Sequence, residues 1–510
     1  MCRISKYIER SQVIYTSAAV CVLGYIFHEV YWKRRRLPSG PMPWLALGNI
    51  PSFVTAESVD SLFLSWKQQY GGIFTVWVGP FPLVMVADLK SIKKYFISYS
   101  EYFSNRWRNF VTDTLMEGAN GIVQIDGDKW REQRRFSLHT LRDFGVGRPL
   151  MEQKIMIEVE AITKHLKENA TEGGIDMCSP IAVCVGNIIN NMLFGIRYDQ
   201  GDAEMHHLHS LLDRQSHIVL KSIMGAYIAA PFTTKIPIIN SAWIELMSIK
   251  TELASFLDKQ IEEHRVKFNE GHRETDDLTY AYMNEVERRK NDDRDLGSFD
   301  DLQLKMLLMD LFFAGMETTV TTLKWAFLYI SMEKEVQRKA YEELSCIDGP
   351  VALSDRSKLP YVQATLNEVQ RKANILPINL LRTVADDIKI DDFHFNKGDM
   401  VIPQISILMN DPKYFENPDE FNPDRFLDDS RNLKRIEEFM PFSTGKRQCL
   451  GESLARAELF LIFANLLKTF SFNVDEEAST RRILGLTVSP PRYKCYVSRR
   501  KEMDFNQNMK

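Results

Sequence analysis

The spacing of hydrophobic residues predicts a mainly helical chain with small amounts of β-structure. Two short runs rich in β-branched and aromatic residues, 73–78 and 83–86, flank the turn-forming segment 79–82 and predict a β-hairpin. Most of the remaining chain has the apolar periodicity of helices. The charge-dense segment 284–297 is typical of a solvated connector between helices.

The N-terminal segment 1–36 is predicted to be a single membrane anchor helix. Residues 13–27 are uncharged and mostly apolar, and the apolar character continues to Trp32, which is just long enough for a bilayer span. The basic block 33–36 outweighs the cations before the span, so the positive-inside rule places the bulk of the chain in the cytosol. A cleaved signal peptide is the rival interpretation, although no A-x-A site precedes the basic block. The prolines of 37–49 predict a stiff hinge.

Composition narrows the possible function classes. The chain has 510 residues, of which 26% are charged and 45% hydrophobic, as in an ordinary globular protein. Its net charge of −4 gives no indication of bulk nucleic-acid binding. Seven cysteines without C-x-x-C spacing argue against a disulfide framework and against a zinc module. The histidines of 206–209 are typical of a solvated helix face, because no cysteine or fixed carboxylate accompanies them.

One cysteine has an unusual setting. Cys449 lies in the segment 441–451, and an apolar helical stretch, 454–470, follows at once. Gly445 and Gly451 allow tight turns and the close approach of a flat partner. Because the helix begins just after the sulfur, its positive end favours a thiolate over a thiol.

The residues around Cys449 complete a recognisable signature. Phe442 is placed to shield a thiolate, and Arg447 to pair with an anionic group beside it. A shielded thiolate with one open face suits the axial position of a haem iron. The pattern F-x-x-G-x-R-x-C-x-G resembles the signature of the cytochrome P-450 family, the haem-thiolate monooxygenases, and this resemblance makes Cys449 the iron ligand and Gly451 part of the haem cradle.

A second motif supports the resemblance. Ser298 is the predicted N-cap of a long helix, with Asp301 three residues later as in a capping box. The segment 310–319 inside that helix combines a glycine, an acid and two threonines, which is a poor choice for helix stability alone. The run resembles the family motif A-G-x-E-T-T, which implies that Glu317 and Thr318 form a proton relay beside a groove for dioxygen. The resemblance also implies an apolar substrate pocket lined by Phe312, Phe313, Ala314, Leu376 and Leu486.

Further residues match family positions with assigned roles. The resemblance implies that haem propionates are held by Arg106, Trp130, Arg134 and Arg382 together with Arg447. It also implies a buried ionic network made by Glu368, Arg371 and Arg425. The surrounding cations Lys129, Arg131 and Arg135 are predicted to form a basic face for an electron-donating protein.

The implied protein is a membrane-anchored monooxygenase. The resemblance implies the cytochrome P-450 fold, mainly α with small β-sheets, over a catalytic domain at 50–498, followed by a polar tail at 499–510. The implied cofactor is heme b (iron protoporphyrin IX), with O2 as the oxidant. No Gly-rich nucleotide-binding turn is present, so electrons from NADPH must come through a partner, NADPH–cytochrome P-450 reductase, with cytochrome b5 as a second donor. No nucleic acid partner is expected.

The expected location is the endoplasmic reticulum membrane, with the catalytic domain on its cytosolic face. In the family, the loop corresponding to 223–232 dips into the lipid bilayer, and the apolar run here is consistent with that. The lipophilic substrate remains open among fatty acids, steroids and foreign compounds. Two alternatives also remain open: an isomerase of hydroperoxides or endoperoxides on the same fold, and a haem-based gas sensor or carrier. Glu317 and Thr318 argue against the isomerase.

Overall fold

The computed structural model describes residues 15–17, 20–21, 24–25, 27–28, 32–45, 47–56, 58–146, 149–169 and 173–500. Most of the predicted anchor, 1–36, and most of the predicted tail, 499–510, lie outside the described residues. Within the described residues, one helix, Asp301–Met332, is long and apolar enough to cross a membrane, and 67% of its most apolar window is buried in the protein. That burial is typical of a core helix.

The secondary structure confirms a mainly helical protein with small sheets. The α-helices among the described residues are α1 (Ile50–Thr55), α2 (Val59–Tyr70), α3 (Leu89–Lys93), α4 (Phe110–Leu115), α5 (Gly127–Asp143), α6 (Pro149–Asn169), α7 (Cys178–Phe194), α8 (Ala203–Ile218), α9 (Ile223–Ala229), α10 (Ser241–Asn269), α11 (Leu278–Asn291), α12 (Asp301–Met332), α13 (Lys334–Ser345), α14 (Pro360–Ala373), α15 (Ile405–Asn410) and α16 (Glu452–Thr469).

Shorter elements complete the fold. The strands among the described residues are β1 (Ile73–Val78), β2 (Phe81–Val86), β3 (Asn105–Arg106), β4 (Arg382–Thr383), β5 (Ile388–Ile390), β6 (Phe393–Phe395), β7 (Met400–Pro403), β8 (Phe470–Val474) and β9 (Cys495–Arg499). Short 3-10 helices lie at Lys33–Arg36, Pro231–Lys235, Leu353–Lys358, Pro423–Phe426 and Gly445–Arg447, and a π-helical turn lies at Lys94–Ser98.

The chain forms two compact units, of which the first contains Met1–Trp107, Ile378–Leu408 and Thr444–Lys446. Its main sheet has the strand order β1-β2-β7-β4-β3, with β2 and β7 parallel. The predicted hairpin is confirmed, but its turn is shorter than predicted, since β2 already begins at Phe81. Pro82 is tolerated there because pairing with β7 begins only at Leu83, so its missing N–H breaks no bond to that strand.

The hinge segment is fixed along β1 in the same unit. The N–H of Thr75 donates to the carbonyl of Ser39 at 3.1 Å, and the Thr75 hydroxyl donates to the carbonyl of Pro38 at 2.8 Å. The N–H of Trp77 donates to the side chain of Asn49 at 2.8 Å. The described part of the hinge is therefore held along β1 by these hydrogen bonds, one between backbone groups and two that involve side chains.

The second unit contains Arg108–Pro377, Met409–Ser443 and Arg447–Lys510, and α12 runs through its hydrophobic core. The ring of Phe327 on α12 lies 5.8 Å from that of Phe463 on α16 and 4.8 Å from that of Phe472 on β8. These contacts place the central helix beside the helix that follows Cys449.

The predicted N-cap of α12 is wrong. The cap is Asp300, whose carboxylate accepts the N–H of Gln303 at 2.7 Å. Ser298 is engaged elsewhere, because its N–H and its hydroxyl both donate to Glu132 of α5, at 2.8 and 2.5 Å. The helix consequently begins at Asp301.

Candidate functional site

The sulfur of Cys449 lies at the beginning of α16. The N–H of Cys449 donates to the carbonyl of Phe442 at 3.0 Å, which closes the preceding loop. The N–H of Gly451, the N-cap of the helix, donates a hydrogen bond to the Cys449 sulfur. The sulfur therefore lies beside the positive end of the helix, where a thiolate is favoured.

Cys449 is exposed, although protein surrounds much of its side chain. The residue is exposed, yet burial is the main cause that raises the pKa of its thiol, opposed by the Gly451 N–H and the Arg134 guanidinium. The side chain is therefore reachable from outside although much of it is surrounded by protein. A methyl group on Gly451 would meet no atom within 4 Å, so the space beside it is open.

The aromatic ring of Phe442 is held from one side. The guanidinium of Arg456 lies 4.7 Å from the ring centroid, and Arg456 is itself paired with Glu452 at 2.8 Å. Its role as a shield for the Cys449 sulfur stays a prediction.

Three of the predicted propionate-binding residues lie together beside Cys449. The guanidinium of Arg447 lies 3.9 Å from the ring centroid of Trp130, and that of Arg134 lies 5.8 Å from it. Arg134 donates to the carbonyl of Gln448 at 2.7 Å, one residue before the cysteine. Arg447 is buried and donates to the carboxylate of Asp126 at 2.9 Å.

These residues fit a haem. A thiol at a helix start would supply an iron ligand, and two guanidinium groups and an indole N–H would supply donors for the two carboxylates. Among the described residues, no group of three or more His, Cys, Asp or Glu side chains is arranged to hold a metal ion directly.

The other two predicted propionate ligands lie in the first unit. Arg106 on β3 pairs in register with Arg382 on β4. The guanidinium of Arg382 lies 4.7 Å from the ring centroid of Phe96, and Arg106 donates to the carbonyl of Leu380 at 3.3 Å. Both arginines are buried, and their role toward haem stays a prediction.

Gly445 also belongs to the first unit, and its backbone lies very close to that of Phe96. Its φ is +74°, and a Cβ atom there would lie 2.0 Å from the carbonyl oxygen of Phe96. Only glycine fits this position without displacing backbone.

The middle of α12 has one accessible surface. Ala314 is exposed, whereas Phe312 and Met316 on either side are fully buried. The Thr318 hydroxyl donates to the carbonyl of Ala314 at 2.8 Å, so both residues lie on one face of the helix. A Cβ on Gly315 would lie 2.6 Å from Ile189, so this position requires a glycine or a shift of that side chain.

Glu317 and Thr318 have different hydrogen-bond partners. Its carboxylate accepts the hydroxyl of Thr487 at 2.8 Å and that of Thr321 at 3.5 Å. Only 2% of Glu317 is exposed. Burial raises the pKa of Glu317, and the Thr487 hydroxyl opposes that shift.

The predicted pocket residues are only partly brought together. Phe313, Leu376 and Leu486 are half-buried and present apolar surface. The N–H of Val488 donates to the carbonyl of Ile375 at 2.8 Å, which places the turn carrying Leu486 beside the segment carrying Leu376. Phe312 is not at this surface, because it is fully buried and its ring packs 5.7 Å from that of Phe256 on α10.

Sequence reasoning missed a junction between α12 and the loop before α5. The carboxylate of Asp310 accepts the N–H groups of Ile122 and Val123 at 2.6 and 2.8 Å. The Gln303 side chain bonds both the N–H and the carbonyl of Gly121, at 3.2 and 2.7 Å. The signal that could have indicated this contact is Asp310 itself, an acid in an otherwise apolar helical run that needs a hydrogen-bond partner when buried.

The structure brings together the predicted ionic network. Arg371 donates to both carboxylate oxygens of Glu368, at 2.7 and 2.8 Å, and Arg425 donates to one of them at 3.1 Å. Arg371 also donates to the carbonyls of Met409 and Pro418. Both members of the Glu368–Arg371 pair are fully buried, so the network fixes the course of the chain between 409 and 425.

Comparison with known proteins finds one family, both by its family model and by individual relatives. Residues 38–497 match the family model described as Cytochrome P-450. Cytochrome P-450 2J5 of Mus musculus is 35% identical over 474 residues, covering 91% of this chain and 92% of that protein. Cytochrome P-450 2J2 of Homo sapiens is 34% identical over 478 residues, covering 92% and 93%. Cytochrome P-450 2B4 of Oryctolagus cuniculus is 33% identical over 466 residues, covering 90% and 93%.

Proposed function

The chain belongs to the cytochrome P-450 family, and from that premise we propose that it oxidises a lipophilic small molecule at a haem bound by Cys449. As a member of the family it is a haem-thiolate monooxygenase that uses O2 and electrons derived from NADPH. The observation that carries the assignment to Cys449 is that this exposed residue accepts the N–H of Gly451, the N-cap of α16, with Arg134 acting on the same thiol.

The chain's own residues provide the setting for that chemistry. When bound, the haem supplies oxygen activation, which the electron density of a thiolate ligand promotes. The Gly451 N–H stabilises negative charge on Cys449. Arg134 and Arg447 offer guanidinium forks to carboxylates, and Trp130 supplies a flat surface beneath Arg447.

Thr318 and Glu317 are proposed to manage protons on α12. Burial raises the pKa of Glu317, so this carboxyl holds its proton more tightly than one on the surface. The Thr318 hydroxyl shares a helix face with the accessible Ala314 and is placed to pass a proton there. Positioned proton transfer of this kind typically contributes ~10²–10⁴-fold to a rate.

The substrate is proposed to be apolar. Ala314 is exposed and Phe313, Leu376 and Leu486 are half-buried, so these apolar side chains are proposed to contact the substrate beside α12. Such a surface favours fatty acids, steroids or lipophilic foreign compounds, which gain affinity through burial.

A membrane surface is proposed as the setting. Apolar side chains at and after the 3-10 helix Pro231–Lys235 are exposed to solvent: Phe232, Ile236, Ile238 and Ile244. An exposed apolar cluster of this kind fits insertion into the headgroup region of a bilayer. Together with the predicted anchor, it supports location on the cytosolic face of the endoplasmic reticulum.

A separate reductase is the proposed electron donor, with cytochrome b5 as a second one. Arg131 and Arg135 on α5 are exposed, and Arg131 is paired with Asp128 at 2.5 Å on the same surface. Exposed cations of this kind favour association with an acidic partner. Lys129 is less exposed than the two arginines: its ammonium donates to Asn120 at 2.8 Å, and burial lowers its pKa. The basic face therefore rests on the two arginines.

Turnover of a lipid and drug panel under isotopically heavy O2 tests the proposed function. The full-length protein, NADPH and a microsomal reductase should give a product carrying one heavy oxygen atom. A product that forms without NADPH, or that carries no heavy oxygen atom, would indicate the isomerase. Intact haem without any product would favour a sensor or carrier.

A further inference from the structure

Two hydroxyl groups connect the buried Glu317 to α8. The Thr487 hydroxyl donates to the Glu317 carboxylate at 2.8 Å, and the Ser216 hydroxyl lies 3.4 Å from the Thr487 hydroxyl. Thr487 and Ser216 are, like Glu317, almost fully buried. The three side chains form a continuous file of exchangeable protons from α12 to α8.

The directions of the hydrogen bonds allow transfer along this file. The Thr487 hydroxyl donates inward to Glu317, so its oxygen is available to accept from Ser216. The N–H of Leu486 donates to the carbonyl of Ser216 at 2.8 Å, and the N–H of Thr487 donates to the Ser216 hydroxyl at 3.2 Å. These backbone bonds hold the turn and the helix in register.

Gly485 makes this approach possible. A Cβ atom there would lie 2.9 Å from the Ser216 oxygen and 3.0 Å from His217 Nδ1. A larger residue would push the turn away from α8 and lengthen the hydroxyl contact.

The outer end of the file lies next to groups that reach solvent. His217 Nδ1 is 3.0 Å from the carbonyl of Leu484, and 31% of its side chain is exposed. His217 Nε2 lies 3.7 Å from the carboxylate of Asp213, which is also partly exposed.

We propose that Ser216 and Thr487 form the route by which Glu317 is resupplied with protons from the solvent side of α8. This inference rests on the proposed function, in which Glu317 gives up a proton during turnover. Thr487 releases one proton to Glu317 and takes one from Ser216, and Ser216 in turn takes one from solvent water on the outer side of α8. One proton therefore enters for each that leaves Glu317, and only O–H bonds break and form.

The burial of Glu317 makes such a route necessary. With 2% of the residue exposed, the carboxyl has little direct contact with water. The charged groups that act on it are Asp213 and His217 from α8 and Lys324 from its own helix. The competing explanation is that Thr487 only fixes the orientation of the carboxylate.

Variants of the file separate the two explanations. Thr487→Val keeps the shape and removes the hydroxyl, Thr487→Ser restores it, and Ser216→Ala interrupts the outer step. Thr365→Val is the matched control, because Thr365 is fully buried and, among the described residues, its hydroxyl bonds only the carbonyl of Tyr361 in its own helix.

The first measurement requires no turnover. The infrared carboxyl band of Glu317, identified by its loss in Glu317→Gln, is followed against pH in the purified protein. Thr487→Val should shift that titration to higher pH, because the hydroxyl that lowers the pKa is gone. Ser216→Ala should leave the band in place and slow its exchange in heavy water.

The second measurement is turnover in light and heavy water. With reductase and NADPH, Thr487→Val and Ser216→Ala should reduce product formed per NADPH by about 10-fold or more and enlarge the solvent isotope effect. Thr487→Ser should restore both values, and turnover driven by an organic hydroperoxide should be unchanged. These results would support the route.

A different set of results would overturn it. If Thr487→Val and Ser216→Ala kept the coupling and isotope effect of Thr365→Val, the route would be refuted, even if the carboxyl band moved. Failure of the proposed function is distinguishable, because then the wild-type protein itself would give no NADPH-dependent product. If Thr487→Val does not fold, Ser216→Ala alone decides the question.

Discussion

The hydroxyl of Thr319 donates a hydrogen bond of 3.1 Å to the carboxyl of Glu458, which joins α12 to α16 inside the core. The second carboxyl oxygen of Glu458 has no hydrogen-bond partner among the described residues. Burial raises the pKa of Glu458 to about 8, although the Thr319 hydroxyl opposes that shift. A neutral acid therefore lies between α12 and α16, the two helices of the proposed haem site, at neutral pH.

Replacing Glu458 should change how stability depends on pH. Between the unfolded value of 4.5 and the folded value of about 8, the folded protein holds a proton that the unfolded chain has lost. Raising the pH through this range should therefore cost stability, by up to ~1.4 kcal/mol per pH unit. Glu458→Gln should flatten this slope in thermal unfolding scans at several pH values. The exposed Glu476→Gln is the control, and an unchanged slope in Glu458→Gln would contradict the assignment.

Cys449→Ser should abolish the strongly red-shifted Soret band of the ferrous–CO complex. The reason is that serine offers no thiolate beside the Gly451 N–H. The exposed Cys346→Ser is the matched control and should keep the band. Persistence of the band in Cys449→Ser would mean that another sulfur binds the iron.

Thr318→Ala should bind haem and accept electrons, but it should form less product for each NADPH consumed, which is a loss of coupling. Without the hydroxyl on the accessible face of α12, proton transfer there should slow by ~10²–10⁴-fold, and NADPH should be spent on peroxide. Thr318→Ser retains the hydroxyl and should retain most product. NADPH consumption, peroxide and product are measured together, and wild-type coupling in Thr318→Ala would move the role to Thr319.

Arg371→Leu should destabilise the protein far more than Arg338→Leu. The two arginines lie in identical hexapeptides, Glu-Val-Gln-Arg-Lys-Ala, at 335–340 and 368–373. Arg371 is fully buried with Glu368, whereas Arg338 and its partner Glu335 are 53% and 63% exposed. Breaking the buried pair should cost ~3–5 kcal/mol. Denaturant unfolding of both variants is the measurement, and equal effects would show that the network adds nothing.

Reversing Arg131 and Arg135 to glutamate should slow turnover driven by the reductase. Both side chains are exposed on α5, so the effect should act on association and weaken at high salt. Turnover driven by an organic hydroperoxide should be unchanged. The control reverses two exposed lysines of α6, Lys164 and Lys167. Equal loss of both activities in the arginine variant would instead indicate a defect in folding or haem binding.

The repeated hexapeptide shows where prediction from sequence ends. Local pattern predicted the hairpin, the long α12 and the helix after Cys449, because these depend on nearest neighbours in the chain. The same six residues, however, form a buried ionic network in one place and a surface pair in the other. Only the family resemblance indicated which copy lies in the core.

Hydrogen-bond partners that are distant in the chain explain the remaining differences between the predicted and the observed contacts. Ser298 had the sequence of an N-cap, but the carboxylate of Glu132, distant in the chain, binds its N–H and hydroxyl. Glu317 is contacted by Thr487, which lies 170 positions later in the chain. No local pattern contains such contacts, since they depend on tertiary packing.

The junction between α12 and the loop at 121–123 has a consequence for motion. All three of these loop amides end on side chains of one rigid helix, through Gln303 and Asp310. They should exchange with deuterium as slowly as amides of a sheet, although no strand includes them. A ligand that displaces this loop must wait for cooperative local opening, on microseconds or longer, and its arrival should share the steep temperature dependence of that opening.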